Sequence, residues 1–476
     1  VTARARRTLA LLVALGGCGE TISTPARTAE QSPTEHAAQT TARVPAGADP
    51  AGPLGALAGQ DCLIVVLDAL HAAHLGAWGG DPAVAPHLDG LAADGVRFAR
   101  AWSQSSWTLP STVSLFTGLY PQTHGVTFDG KSTGLRLKQE AVTLAERFAE
   151  AGHATALFTQ NPFAGRHFGL EQGFGRFEEH RSDGPGMTDA VIDHLAAPSE
   201  RPRFTYVHYR RPHSPYDPDE VIRERLVDPA YDGPVTGSAA DIERHNDGAR
   251  PLAARDVDQL RALYRANIHQ VDRELGRVLA AVDADRTLVL VLSDHGEAFG
   301  EHGRLGHNWR SYEEYVHVPL VLSHPALAAG VHTTPVMTLD LAPTLTELFD
   351  LSREGPPLQG ASLRSLLAGG APPAREGVFT SSRRHAQGQQ QLAVLDGTLK
   401  YVEERSDGRT WLFDLAEDPG ERSDLSASRP EDAARLQEVL RRWHQGQRTS
   451  YAVDDGSELD AETLARLRKL GYVGGR

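Results

Sequence analysis

Residues 290–297 read Leu290-Val291-Leu292-Ser293-Asp294-His295-Gly296-Glu297. The apolar run is that of a buried strand, and it stops on a carboxylate and an imidazole. Far upstream, Leu63-Ile64-Val65-Val66-Leu67-Asp68 follows the same plan with one carboxylate. Two buried strands that each deliver metal-ligand side chains at their C-terminal ends point to one site at the rim of one sheet. Open α/β sheets place their ligands at such rims.

Working outward, strands and helices alternate. Residues 61–67, 96–98, 154–159, 203–208 and 286–293 read as strands, and 86–94, 110–117 and 139–151 as helices. Residues 255–282 predict a long amphipathic helix, with Leu260, Leu263, Tyr264, Ile268, Val271, Leu275, Val278 and Leu279 along one stripe. This alternation predicts an α/β fold in which a central, mostly parallel sheet is flanked by helices. Beyond about residue 370 the pattern changes. Short runs at 376–380, 391–395, 398–403 and 410–414 precede helical stretches at 429–444 and 460–469. They predict a smaller C-terminal α+β subdomain, a small antiparallel sheet with helices. The expected boundaries are 60–370 and 371–476. The polar, turn-rich segment 225–255 reads as an insertion near the site.

With 476 residues the chain is long enough for both parts. It carries 48 Lys and Arg against 62 Asp and Glu, a net charge of −14. That balance argues against a general nucleic-acid binder, which needs a basic patch. An anionic substrate stays possible where a metal ion reverses the local field. At the N-terminus, Arg4, Arg6 and Arg7 precede a short apolar run, 8–17, too short to span a bilayer. Leu15-Gly16-Gly17-Cys18 resembles a bacterial lipobox; an ordinary secretory signal is the alternative. The expectation is a signal peptide over 1–18, lipid on Cys18 as the sole membrane attachment, and a disordered tether over 19–59. It implies an exported lipoprotein of the cell envelope: periplasm, outer membrane or cell surface. Cys62, inside the first strand, is expected to be a buried, inert thiol.

Ser106-Trp107-Thr108-Leu109-Pro110-Ser111-Thr112 leads into a helix that ends at Thr117-Gly118. Pro110 suits a first helical turn, which places Thr108 just before a helix N-terminus. Free N–H groups and the helix dipole there favour an anion or a covalent ester. A threonine hydroxyl is a weak nucleophile until a metal or base activates it. The plainer reading is a turn residue.

The blocks so far, taken in order with others, are similar to a known family. They are Val65 to Leu70, His74-Leu75-Gly76, Pro86-His87-Leu88-Asp89, Ser106 to Gly118, and Tyr120-Pro121-Gln122-Thr123-His124-Gly125. Pro212-His213-Ser214-Pro215-Tyr216, Ser293 to Gly303, Gly306-His307, Trp411 to Leu415 with Asp418-Pro419, and the Leu467 to Gly475 tail follow. Together they resemble a sulfatase-family member of the alkaline phosphatase superfamily. The resemblance implies an alkaline-phosphatase-like fold and a metal-dependent hydrolase of sulfuric or phosphoric esters. It implies that Asp68, Asp294 and His295 bind one divalent metal, with Thr108 as both nucleophile and ligand. It implies that His213 protonates the leaving oxygen and that His307 contacts the oxyanion or the leaving group. Hard carboxylates suit calcium, the first expectation, or magnesium; one imidazole leaves manganese and zinc open. The expected substrate is a small-molecule, glycan or lipid ester, with no nucleic acid.

Departures from the family pattern shape the alternatives. Threonine stands where sulfatases carry the Cys or Ser that becomes formylglycine. Ala73, Thr112 and Arg211 also differ from the pattern. A Thr-x-Pro setting resembles the phosphodiesterases of the superfamily, yet the Asp that would hold their second metal is Tyr209 here. Phosphodiester or phosphonate ester hydrolysis, phosphotransfer, and a degenerate non-catalytic lipoprotein therefore stay open. His71, His74 and His124 read as structural or rim residues, and Asn161 as a polar turn before Pro162. Glu297 and Glu301 read as supporting groups or surface charges.

Overall fold

In the computed structural model, strand β1 (Asp61–Leu67) puts Cys62, Ile64 and Val66 into one apolar cluster and Leu63, Val65 and Leu67 into another. Side chains alternate across a strand, so an unbroken apolar run needs cover on both faces. The structure describes residues 57–128, 134–307, 310–383, 390–447, 450–454, 456, 458–470 and 472. The expected signal peptide, Cys18 and the tether as far as residue 56 lie outside the described residues. Leu57, inside the stretch expected to be tether, is fully buried in the core, and Cys62 is buried as expected.

The main sheet adds β2 (Val96–Phe98), β3 (Ala154–Thr159), β4 (Arg176–Glu179), β5 (Arg203–Tyr209), β6 (Thr287–Leu292), β7 (Leu320–Ser323) and β8 (Gly330–His332). Their order is β8-β2-β7-β6-β1-β5-β3-β4. The run β6-β1-β5-β3-β4 is parallel throughout. Only β7 runs against its neighbours, β6 and β2. The fold is thus α/β with a mixed, mostly parallel sheet. Strands β4, β7 and β8 are short and interrupt the simple alternation, so periodicity alone does not pick them out.

The long helix is Ala254–Ala281, one residue offset from the expected span, and buries Leu260, Leu263, Tyr264, Ile268, Val271, Leu275 and Val278. The helix expected over 139–151 is only Leu144–Glu150. Thr143 caps it: its Oγ1 accepts from the Glu146 N–H at 3.2 Å, while its own N–H donates to the Glu146 carboxylate at 2.7 Å. That capping box starts the helix and excludes residues 139–142. The segment 225–255 holds the helix Ala239–Asn246. Asn246 bonds both the N–H and the carbonyl of Leu305, which sets the segment against the loop leading to His307.

Near the C-terminus, β9 (Val378–Arg383), β10 (Gln390–Asp396), β11 (Leu399–Glu404) and β12 (Thr410–Asp414) form an antiparallel sheet. The helix Pro430–Gly446 packs Leu436, Val439 and Leu440 into the cluster of that sheet. The last helix, Ala461–Lys469, was expected with the small sheet but does something different. Its Leu467 is fully buried in the main core cluster with Phe163 and Phe168. This helix therefore returns to the main core. Among the described residues no helix is long and apolar enough to cross a membrane.

Candidate active site

The C-terminal ends of β6, β1, β5 and β3, four neighbours in the sheet, deliver one cluster of polar groups. Asp68 follows β1, Asp294 and His295 follow β6, His208 lies one residue before the end of β5, and Asn161 follows β3 by two residues. The two central ends are tied together. Ala69 adopts the left-handed region at φ 62°, which costs a non-glycine residue about 1 kcal/mol or more. That turn lets the Ala69 N–H donate to Asp294 Oδ1 at 3.2 Å and the Leu70 N–H to Ser293 Oγ at 2.8 Å. The Tyr264 hydroxyl, from the long helix, donates to the Ala69 carbonyl at 2.7 Å and closes the turn from outside.

Thr108 is the first residue of the helix Thr108–Thr117, rather than the residue before it, and is fully buried. Its Oγ1 lies 3.3 Å from His295 Nε2 and 3.3 Å from Asn161 Nδ2. Asn161 is more than a turn residue. Its Oδ1 accepts from the Phe163 N–H at 2.8 Å, which orients the amide so that Nδ2 donates to Asp68 Oδ2 as well as to Thr108.

The predicted ligands Asp68, Thr108, Asp294 and His295 are thus brought together. His295 Nε2 is 3.4 Å from Asp68 Oδ1 and 3.6 Å from Asp294 Oδ2. His295 Nδ1 lies 2.9 Å from the Gly296 carbonyl, which can only accept, so Nδ1 carries a proton and Nε2 faces the carboxylates. His208, which sequence reading passed over, directs Nε2 at both carboxylates from 3.7 and 3.8 Å. Its signal was a lone imidazole at the end of the buried run Phe204-Thr205-Tyr206-Val207-His208.

Among the described residues, Asp68 Oδ1, Asp294 Oδ2 and His208 Nε2 are buried and find no hydrogen-bond partner. One ligand atom from each of these residues lies within 4.8 Å of the other two. Orphaned buried polar atoms are costly, and three that converge suit a divalent cation of mixed oxygen and nitrogen coordination. Electrostatics agree. Burial pushes both carboxyls up. For Asp68 the rings of His213, His208 and His295 outweigh burial and hold it well below its usual range. Asp294 stays raised, by burial and by the Asp68 charge. Burial opposes charge on His295, but Asp294 and Asp68 push it up to about 9. A bound cation would meet the same demand and displace that proton.

A second trio, His295, Glu297 and His307, is also close enough to hold an ion. Its bonds are already made, however. Glu297 Oε1 accepts from the Tyr216 hydroxyl at 2.6 Å, and Oε2 from His307 Nδ1 at 3.1 Å. Glu297 is fully buried, not a surface charge, and burial lifts its carboxyl to about 6. It orients His307, whose ring centroid is 4.4 Å from that of His295 and 4.7 Å from that of His213.

His213 is fully buried beside the cluster, its ring centroid 6.4 Å from that of His295. Its Nδ1 lies 2.5 Å from the Ser214 carbonyl and therefore carries the proton. Burial pushes the ring down to about 4 in spite of Asp68, so it is neutral at pH 7. Arg210 braces the loop, donating from Nη1 to the His213 and Ser214 carbonyls at 2.8 and 2.9 Å. Arg211, one of the departures from the family pattern, faces Asn267 and Asp217 instead. His213 Nε2 does not touch Thr108; it lies 2.7 Å from the hydroxyl of Tyr472. That hydroxyl is in turn 3.4 Å from Thr108 Oγ1. His124, expected to be a structural or rim residue, is buried and bonds Ser114 and the Pro110 carbonyl, a structural role.

Gly296 makes the turn after His295 possible. A Cβ there would lie 2.2 Å from the Glu314 carbonyl oxygen and 3.1 Å from its carbon, both backbone atoms. Gly296→Ala is therefore expected to cost about 1–3 kcal/mol of stability by overpacking. It should also weaken metal binding, because His295 must shift. Denaturant unfolding together with a metal titration checks both effects; unchanged values in both would show that the turn can yield.

A sequence model described as Sulfatase matches residues 60–351 of this chain. A choline-sulfatase of Rhizobium meliloti (strain 1021) is 26% identical over 426 residues, 76% of this chain and 82% of that protein. The solved phosphonate monoester hydrolase of Agrobacterium radiobacter superposes with a TM-score of 0.65 at 24% identity, covering 81% of this chain and 96% of that one. A putative sulfatase structure from Bacteroides thetaiotaomicron VPI-5482 gives 0.68 at 20% identity, covering 85% and 96%.

Proposed function

The chain belongs to the sulfatase family of ester hydrolases, and from that premise we propose a metal-dependent hydrolase of sulfuric or phosphoric esters in which Thr108 is the nucleophile. The observation that carries this reading is the convergence of Asp68, Asp294 and His208, whose Oδ1, Oδ2 and Nε2 are buried without hydrogen bonds, in the cluster where His295 meets a buried hydroxyl at the start of a helix. In this reading Asp68, Asp294, His295 and Thr108 hold one divalent cation, with His208 facing it from β5. When bound, the cation polarises the ester and lowers the pKa of the hydroxyl. Calcium was the first expectation, for two carboxylates with one imidazole. A second imidazole beside the carboxylates moves the balance toward manganese or zinc.

The chain's own residues do the rest. Asn161 holds the Thr108 oxygen in place and leaves that oxygen's own proton free to go elsewhere. The N–H groups of the helix start face the charge that builds on the transferred group. His213 hands a proton to the departing oxygen, and His307, fixed by Glu297, contacts the oxyanion or the leaving alcohol. Threonine cannot become formylglycine, which gives phosphate and phosphonate esters equal standing with sulfate esters. The relatives' names, a choline-sulfatase and a phosphonate monoester hydrolase, span the same range. The substrate is a small-molecule, glycan or lipid ester. Export and lipid attachment at Cys18 complete the proposal.

The test is hydrolysis of aryl sulfate, aryl phosphate, aryl phosphodiester and aryl phosphonate esters, each with calcium, magnesium, manganese or zinc. Turnover of one ester class that depends on added metal is expected. A chain inert on every ester with every metal would favour the non-catalytic alternative.

A further inference from the structure

The Tyr472 hydroxyl comes from the far end of the chain, 364 residues from Thr108. It is held there firmly. Asp460 caps the last helix by accepting from the Thr463 N–H at 2.8 Å. Arg466 anchors that helix to the Gln160 carbonyl at 2.8 Å, next to Asn161. Leu467 is buried in the main core, and the Tyr472 N–H closes the helix end on the Leu467 carbonyl at 2.9 Å. The Tyr472 ring then stands edge-on to Phe163, with centroids 4.6 Å apart, and beside His213 at 5.2 Å. A tail pinned by a cap, an arginine and a buried leucine is part of the site's construction.

We propose that Tyr472 is a catalytic residue whose hydroxyl passes a proton between Thr108 Oγ1 and His213 Nε2. This rests on the reading of Thr108 as the nucleophile. The direction of the bonds supports it. His213 Nδ1 keeps its proton and donates it in a hydrogen bond to the Ser214 carbonyl, so Nε2 accepts from the Tyr472 hydroxyl at 2.7 Å. The Tyr472 oxygen then has a lone pair for the Thr108 proton at 3.4 Å. His295 Nε2, the other acceptor near Thr108, belongs to the ion-holding cluster.

The step balances. As Oγ1 attacks sulfur or phosphorus, its proton moves to the Tyr472 oxygen and the Tyr472 proton moves to His213 Nε2. The bond from Oγ1 to the central atom forms, and the bond to the alcohol oxygen breaks, its electron pair going to that oxygen. The proton on His213 passes out to the departing oxygen. The ring ends neutral and the Tyr472 hydroxyl is restored. His213 thus acts first as base, through Tyr472, and then as acid.

The test is Tyr472→Phe, which keeps the ring against Phe163 and removes only the oxygen, assayed beside Thr108→Val on an ester that the unaltered chain hydrolyses. The relay predicts a kcat loss of about a hundredfold or more, with KM within about threefold and the melting temperature unchanged. The loss should be deeper on alkyl esters than on 4-nitrophenyl esters, because an alkoxide needs the proton more. In a His213→Ala background, Tyr472→Phe should add almost nothing, since both variants break one relay. A kcat within twofold of the unaltered chain, a kcat that rises, or losses that multiply in the double variant would each overturn the relay. Full activity in Thr108→Val, or a chain inert on every ester, would overturn the nucleophile reading and the relay with it.

Discussion

Thr108→Val is expected to lower turnover by at least about 10⁴-fold, the scale on which removal of a nucleophile acts, while the protein stays folded. Valine has nearly the shape of threonine, and the site is fully buried, so what is lost is the oxygen. That oxygen is the common neighbour of Asn161, His295 and Tyr472 at 3.3, 3.3 and 3.4 Å. Asn161 keeps its bond to Asp68 in the variant, which limits the number of newly orphaned donors. Thr108→Ser retains the oxygen and should retain measurable turnover, below the unaltered chain because the smaller side chain leaves the hydroxyl less restrained. Steady-state rates of the three proteins on one ester decide the matter. Valine as active as threonine would assign the nucleophile elsewhere; serine as inert as valine would point to packing rather than chemistry.

Asp68→Asn is expected to abolish metal binding and, with it, turnover. Asp68 Oδ1 and Asp294 Oδ2 are buried and accept no hydrogen bond, and a neutral amide at position 68 removes one of the two charges that attract a cation. In the unaltered chain, metal at a hundredfold excess over its Kd should add about 2.7 kcal/mol of stability, because it binds only the folded form. That gain should vanish in Asp68→Asn. Without metal the variant should also melt lower than the unaltered chain at neutral pH, because the rings of His213, His208 and His295, which outweigh burial and hold the Asp68 carboxyl well below its usual range, lose their charged partner, a loss that relief of Asp294 offsets only in part. Melting curves with and without metal, alongside metal content by mass spectrometry, read both effects. Equal metal-induced stabilisation in the two proteins would place the cation elsewhere.

Much of this architecture is written locally. The runs ending at Asp68 and Asp294-His295 read as buried strands because an unbroken apolar stretch of that length has few other fates. The acids that stop such runs sit at a sheet rim by construction. Thr108 could be placed at a helix start because Pro110 and Gly118 bracket the helix. The antiparallel sheet of β9 to β12 was visible as short strand-like runs of nearly the right length.

Other parts of the site left little local trace. His208 sits in a strand whose pattern gives no sign that its neighbour in the sheet ends on Asp68. Asn161 looks like an ordinary turn residue, since its cap on Phe163 is local but its reach to Asp68 and Thr108 is not. The reversed strand β7 and the last helix, which leaves the small sheet for the main core, follow from packing that no short window contains. Tyr472 is the extreme case, a lone aromatic near the end of a helical tail.

The sequence by itself therefore determined five strands of the main sheet, the long amphipathic helix and its buried stripe, and the two strand ends that carry Asp68 and Asp294-His295. Those properties depend on backbone period and side-chain solvation over a few residues. Only the tertiary structure decided that His208, Asn161 and Tyr472 join Asp68, Thr108, Asp294 and His295. That meeting depends on the order of strands in the sheet and on where a distant helix finds its buried face, and both are set by contacts between segments hundreds of residues apart.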